Sequence, residues 1–230
     1  MTQGMLVPPG RVTRMRRMTQ DTPKPAIRRR RPQAERSADT RAKVIEAAIA
    51  CLHRAGYSAT TISTVADEAG VSRGAMTHHF PAKTDLMLAV VAAVFEEDGV
   101  LYGRTIAKMD PIAWLRALPE TMWAVMSRPA GIAVMEIMLA SRSDPSLAEP
   151  LRALQSRIDD QAHRWSRERI RAAGLEPLPD ADALHELWVA ALRGLALEST
   201  FMNNAENVRG ALAALSDSMR RFYPALADKP

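Results

Sequence analysis

The chain has 230 residues, of which 47% are apolar and only 5% aromatic, and it carries a formal charge of +5. That is length for one large domain or two small ones with a sizeable core, and a composition led by Ala, Leu, Met and Arg favours helix over sheet. The single cysteine, Cys51, excludes an intrachain disulfide framework, and no run approaches the ~20 apolar residues of a membrane span.

Charge is unevenly placed. Residues 1–36 hold ten Lys/Arg and two Asp/Glu, a net of +8, which leaves the remaining 194 residues at −3. Pro8, Pro9, Pro23, Pro25 and Pro32 forbid a long helix there, so 1–36 reads as a disordered basic arm. The stretch lacks the apolar core of a secretory signal. Two readings of it stand: an arm that touches phosphates or the minor groove, or a solvated tail ahead of a true start at Met5, Met15 or Met18.

A first ordered helix is expected over 38–55, with Ile45, Ala48, Ile49 and Leu52 on one face and Gly56 ending it. Cys51 lies in this apolar setting and reads as a buried helix residue rather than a redox sensor. Arg41 and Lys43 sit on its polar side near the start.

The stretch Thr60–Lys83, TTISTVADEAGVSRGAMTHHFPAK, reads as helix, tight turn, helix. Thr61 is an N-cap, and Ile62, Val65, Ala66 and Ala69 form one apolar face. Gly70 stops the helix in a left-handed conformation, and Val71 plugs the gap. Ser72 caps a second, short helix over Arg73–His79, with Met76 and Phe80 facing inward. This is the layout of a DNA-reading helix-turn-helix.

Thr61, Val65, Ala66, Ala69, Gly70, Val71, Ser72, Gly74, His79, Phe80, Lys83 and Leu86 stand in register with a family pattern. On these residues the stretch resembles the DNA-binding head of the TetR family of bacterial transcriptional regulators. Two positions depart from the pattern. Thr77 replaces the usual tyrosine, and Ala82 replaces the usual polar cap, at a cost of about 0.5–2 kcal/mol to the next helix start. The resemblance implies an all-α protein whose three-helix head, 37–83, binds a palindromic operator as a homodimer. Arg73 would read guanine, and His78 a base or phosphate. Arg41, Thr61, Ser72, Thr77, His79 and Lys83 would hold phosphates or shape the turn, while Gly74 would let the backbone approach the duplex.

A connecting helix is expected over 83–98, with Gly99 ending it. Beyond it the resemblance implies a helical ligand-binding and dimerisation body, 84–222, and a tail, 223–230. Asp110-Pro111 is a start signal, and Pro119 should interrupt the helix that follows. Further helices are expected over 130–140, 147–173, 181–202 and 206–222. Trp114, Met122, Trp123, Met126, Met135 and Met138, with Glu136 to orient a polar or cationic group, would line a pocket for a small apolar ligand. Plain core is the competing reading. Leu151, Ile158, Trp165, Leu187, Ala191 and Gly194 on the two longest late helices would form the subunit interface, with ordinary packing inside one chain as the competing reading.

No enzyme signature appears. His185-Glu186 begins an H-E-x-x-H-like string whose fifth position is Val189, and there is no phosphate-cradling glycine loop or G-x-S-x-G elbow. No cofactor and no metal are expected, and the protein is placed in the cytoplasm, on the nucleoid. A ligand-independent architectural DNA-binding protein is the alternative function.

Overall fold

The computed structural model describes residues 33–202 and 205–226, and among them only helices occur. The expected arm therefore lies outside the described residues except for its last four. These are already helical, because α1 (Gln33–Ala59) begins directly after Pro32, five residues earlier than expected. Gly56 breaks α1 rather than ending it: φ of 74° and ψ of 176° interrupt the helix, which resumes for one turn.

The helix pair follows as α2 (Ile62–Ala69) and α3 (Arg73–His79). Then comes α4 (Lys83–Ile106), which runs through Gly99 instead of stopping there. A glycine costs a helix only about 1 kcal/mol against alanine, and α4 recovers that by carrying Tyr102 into the second core cluster. The Asp110-Pro111 signal holds: Asp110 Oδ1 accepts from the Ile112 and Ala113 amides and opens α5 (Pro111–Arg116). The break expected at Pro119 falls two residues earlier, at Ala117, and Pro119 sits in the first turn of α6 (Leu118–Met126). The bundle is completed by α7 (Pro129–Ala140), α8 (Pro145–Ala172), α9 (Ala181–Glu198) and α10 (Ala205–Phe222). The expected tail begins as structure, since Tyr223 and Leu226 are buried around a 3₁₀ turn at Pro224–Leu226.

The apolar faces meet in two main clusters. The first joins Val44, Ala48 and Leu52 of α1, Val65 of α2, Met76 of α3 and Leu86 to Val94 of α4 with Ala133 and Ile137 of α7 and Leu147 and Leu151 of α8. Head and body thus share one core, and the expected division at residue 83 does not separate two packing units. The second cluster gathers Trp114, Leu118 and Met122 with Ile170, Val189, Leu192, Val208, Leu212 and Leu226. No single helix among the described residues is long and apolar enough to cross a membrane.

Candidate nucleic-acid interface

The local chemistry of α2 and α3 makes the turn between them rigid. Thr61 Oγ1 accepts from the Thr64 amide at 3.1 Å, and Thr64 Oγ1 accepts in return from the Thr61 amide at 2.8 Å. This is a reciprocal cap with threonine in the place usually held by Glu or Gln. Gly70, at φ of 63°, adopts the left-handed conformation, and the amides of Gly70 and Val71 donate back to the α2 carbonyls of Asp67 and Ala66. Ser72 Oγ accepts from the Ala75 amide at 3.2 Å. Met76 and Phe80 are 0% and 1% exposed and pin α3 to the core.

With that anchor, Ser72, Arg73, Gly74, Thr77 and His78 all face outward. Arg73 Nη2 reaches Ser63 Oγ at 3.3 Å, a single neutral contact that leaves most of the guanidinium fork free for an acceptor. Thr77 Oγ1 donates to the Arg73 carbonyl at 3.0 Å and keeps its lone pairs. A Cβ at Gly74 would meet only Ser72 Oγ, at 4.0 Å, so nothing in this chain demands glycine there. His79 is half-buried, with its ring 5.3 Å from that of His78.

Two of the expected phosphate contacts are engaged within the chain. The Arg41 guanidinium lies 4.8 Å over the Phe80 ring, while remaining exposed. Lys83 Nζ donates to the Tyr57 carbonyl at 2.7 Å and sits 3.6 Å from the Tyr57 ring centroid. Burial lowers the Lys83 pKa, and the nearby Asp144 opposes that fall. Ala82 has no side chain to cap α4, and Asp85 Oδ2 instead accepts from the Ala82 amide at 3.0 Å.

The apolar residues expected to line a pocket are spread over three apolar clusters, with Trp123 packed against both the second cluster and the small cluster that holds Met135. Trp114, Met122, Trp123 and Met126 belong to the second cluster, where Trp114 is 1% exposed. Met135 packs with Ile132 and Ala196, and Met138 against the first cluster. Glu136 is directed elsewhere: its Oε2 accepts from the Tyr57 amide at 3.2 Å, at the break in α1. What the body does hold is an aromatic group. The rings of Trp114 and Trp165 stand edge to face at 5.0 Å, Tyr102 lies 5.8 Å from Trp165, and the buried Trp114 Nε1 has no hydrogen-bond partner. The sequence offered no signal for Tyr102, which lies beyond the expected end of its helix.

Of the expected interface residues, Leu151 is 4% exposed and Trp165 packs inside the aromatic group, so both serve the protomer's own core. Ile158 packs partly on the first cluster. Leu187, at 60% exposed, and Gly194 face outward on α9, with Ala191 half-buried beside them. Among the described residues no group of three His, Cys, Asp or Glu is placed to hold a metal ion.

Comparison with known proteins agrees with this geometry. The model of the bacterial regulatory proteins of the tetR family matches residues 44–90. The HTH-type transcriptional regulator CymR of Pseudomonas putida is 31% identical over 203 residues, covering 85% of this chain and 96% of that protein. The HTH-type transcriptional repressor AcnR of Corynebacterium diphtheriae is 25% identical over 187 residues, 80% of this chain and 93% of that one. In fold, a protein of Saccharomonospora viridis described as a transcriptional regulator, crystallised with choline, superposes with a TM-score of 0.64 at 20% identity, over 80% of this chain and 96% of its own. The likeness to CymR extends well past the helix-turn-helix and through the body, and with it the chain belongs to the TetR family of bacterial transcriptional regulators, DNA-binding proteins and not enzymes.

Proposed function

We propose that the protein is a homodimeric repressor that binds a palindromic operator on the nucleoid and is released from it by a small apolar ligand. One observation carries the DNA half of this reading. A doubly capped turn, anchored by Met76 and Phe80, presents Arg73, Thr77 and His78 together on the outward face of α3. Arg73 suits bidentate contact to guanine in the major groove, and the hydroxyls and backbone amides around Thr61 and Ser72 suit phosphates, which position the head without reading sequence.

The dimer reading is supported by α9. Ala190, Gly194, Leu187 and Leu197 are exposed along it, and Phe201 beyond its end is 71% exposed. Small residues among large apolar ones permit close approach of a second helix. Small-molecule binding as such, though not the apolar character of the guest, is supported by the choline-bound structural neighbour and by the unpaired Trp114 N–H inside the aromatic group. A guest that places an acceptor there would pair a donor that is otherwise stranded.

The test is selection from random duplexes, followed by sedimentation of the complex. Two inverted half-sites about one helical turn apart, bound by two chains, are expected. Absence of any enriched sequence would favour an architectural, non-specific DNA-binding protein. Compounds are then screened for operator release, with Trp114→Phe and Trp123→Phe as controls. A ligand that releases wild type and both variants equally would place its site away from the aromatic group.

A further inference from the structure

Away from the reading face, contacts between the head and three body helices converge on one half-buried residue, Tyr57. Its amide donates to Glu136 Oε2 of α7 at 3.2 Å. Its carbonyl accepts from Lys83 Nζ, at the start of α4, at 2.7 Å. Its hydroxyl donates to Asp144 Oδ2, the N-cap of α8, at 2.6 Å. Burial and the Asp144 carboxylate raise the Tyr57 pKa above the ordinary phenol range, so the hydroxyl stays a donor.

The corner holding this residue is stiff. Gly56 has a positive φ, and a Cβ there would lie 3.2 Å from Glu136 Oε2, so the carboxylate seats best over a glycine. Thr60, 1% exposed, closes the corner from Oγ1 to the Gly56 carbonyl at 2.8 Å and from its amide to the Tyr57 carbonyl at 3.2 Å. Asp144 is fixed from its other side by the Ser146 amide and hydroxyl, and Ser146 Oγ meets Thr84 Oγ1 of α4 at 3.2 Å. The reading pair starts at Ile62, two residues past Thr60.

We infer that Tyr57, Glu136 and Asp144 form a joint that fixes the angle at which the reading pair leaves the body, and so act as positioning residues for half-site spacing. The inference rests on the homodimeric operator reading above. Two heads held at one separation bind a correctly spaced pair of half-sites with a high effective concentration. Loosened heads spread that concentration over many separations. The same joint supplies a route for regulation, since a guest that displaces α7 or α8 moves Glu136 or Asp144 and thereby biases the head.

The experiment uses the full chain and a library of two half-sites with a variable gap. Wild type is compared with Tyr57→Phe, Asp144→Asn, Glu136→Ala and Glu136→Gln. Tyr57→Phe keeps the ring under Lys83 and deletes only the hydroxyl, while Asp144→Asn keeps an oxygen to cap α8. For Tyr57→Phe, Asp144→Asn and Glu136→Ala, the preferred gap should broaden by several base pairs. Affinity for the best-spaced operator should fall at least roughly fivefold, the lower range of coupling between sites. Binding to an isolated half-site should hold, and Glu136→Gln, which retains an acceptor, should restore the sharp gap. Unchanged gap preference in folded Tyr57→Phe and Glu136→Ala would overturn the joint. Equal loss on half-site and full operator would also overturn it, since that marks a damaged head. If wild type itself selects no spaced pair, the dimeric operator reading fails first and the joint with it.

Discussion

Arg73 and Lys83 are both cations near the reading pair, yet their surroundings assign them different work. Arg73 is exposed and held by one hydroxyl, so Arg73→Ala should leave stability unchanged. It should cost about 1–3 kcal/mol on the operator and relax preference at one base position, seen by binding to single-base operator variants. Lys83 is tied to the Tyr57 carbonyl and ring, so Lys83→Ala should lower the melting temperature as well as DNA affinity. Equal weakening of specific and random DNA by Arg73→Ala would refute its base-reading role. Thr61 and Ser72 were legible in the sequence because each caps a helix within three residues of itself, and Met76 and Phe80 because helical spacing sets them on the inward face. Lys83 and Glu136 were not, because their partner Tyr57 lies 26 and 79 residues away. A carboxylate set among apolar residues reads equally as a ligand anchor or as a backbone cap until the fold is known.

At the scale of elements, caps and prolines located helix starts well, and glycine marked the end of α2 at Gly70 but misled at Gly56 and Gly99. Asp110 opens α5 as its side-chain oxygen requires, and Asp144 does the same for α8, which starts at Pro145 rather than at the expected residue 147. Gly99 ends nothing, because packing of α4 past it outweighs a local preference of about 1 kcal/mol. That extension continues a helix that presents Asp98 to Arg128 at the start of α7, with Glu97 also paired to Arg128. Burial pushes the Asp98 carboxyl up to about 7, against the pull of the guanidinium. In the folded state Asp98 therefore holds a proton that the unfolded chain has released, between the ordinary carboxylate pKa and about 7. Folding is favoured at the acid end of that window and loses this contribution as pH rises through it. The difference in stability between wild type and Asp98→Asn should fall from about pH 4 to about pH 7 and then level off. Denaturant melts of the two proteins across that range check the sign, and a difference that rises with pH would reverse it.

For the whole molecule, helix count and order were readable from periodicity, but the sharing of one core by head and body was not. An apolar stripe says that a helix face is buried and never names the helix that buries it. Val44, Leu52 and Leu86 close against Ile137 and Leu147 of the body, so thermal unfolding of the chain should lose head and body together. The late helices show the same limit: spacing placed Leu151 and Trp165 on a common side with interface residues, and both turn inward. Gly194 is exposed with no atom within 4 Å of a would-be Cβ. Gly194→Trp should therefore fold normally as a protomer and sediment as a monomer that loses cooperative operator binding. A variant that still sediments as a dimer would move the interface elsewhere. Residues 1–32 carry a net charge of +8, and their removal should spare specific binding while reducing random-DNA affinity and its salt slope. An unchanged slope would leave these residues without a part in DNA contact.

The 24 residues of α4 amount to a rod of about 36 Å that starts at the reading head and carries Tyr102 against the second core cluster. A tilt of about 5° at one end of such a rod carries the other end by about 3 Å, close to the rise of one base pair in a duplex. Gly99 and Gly103 sit one turn apart on its outer side, with open space where their Cβ atoms would be. They make this the softest stretch of the rod, just beyond the grip of the first cluster, whose last α4 contact is Val94. Alanine at both sites should raise stability by roughly 0.5–1 kcal/mol each and stiffen the rod. Operator binding should then survive while any ligand that acts from the second cluster does so more steeply, as a stiff rod transmits tilt that a bending one absorbs.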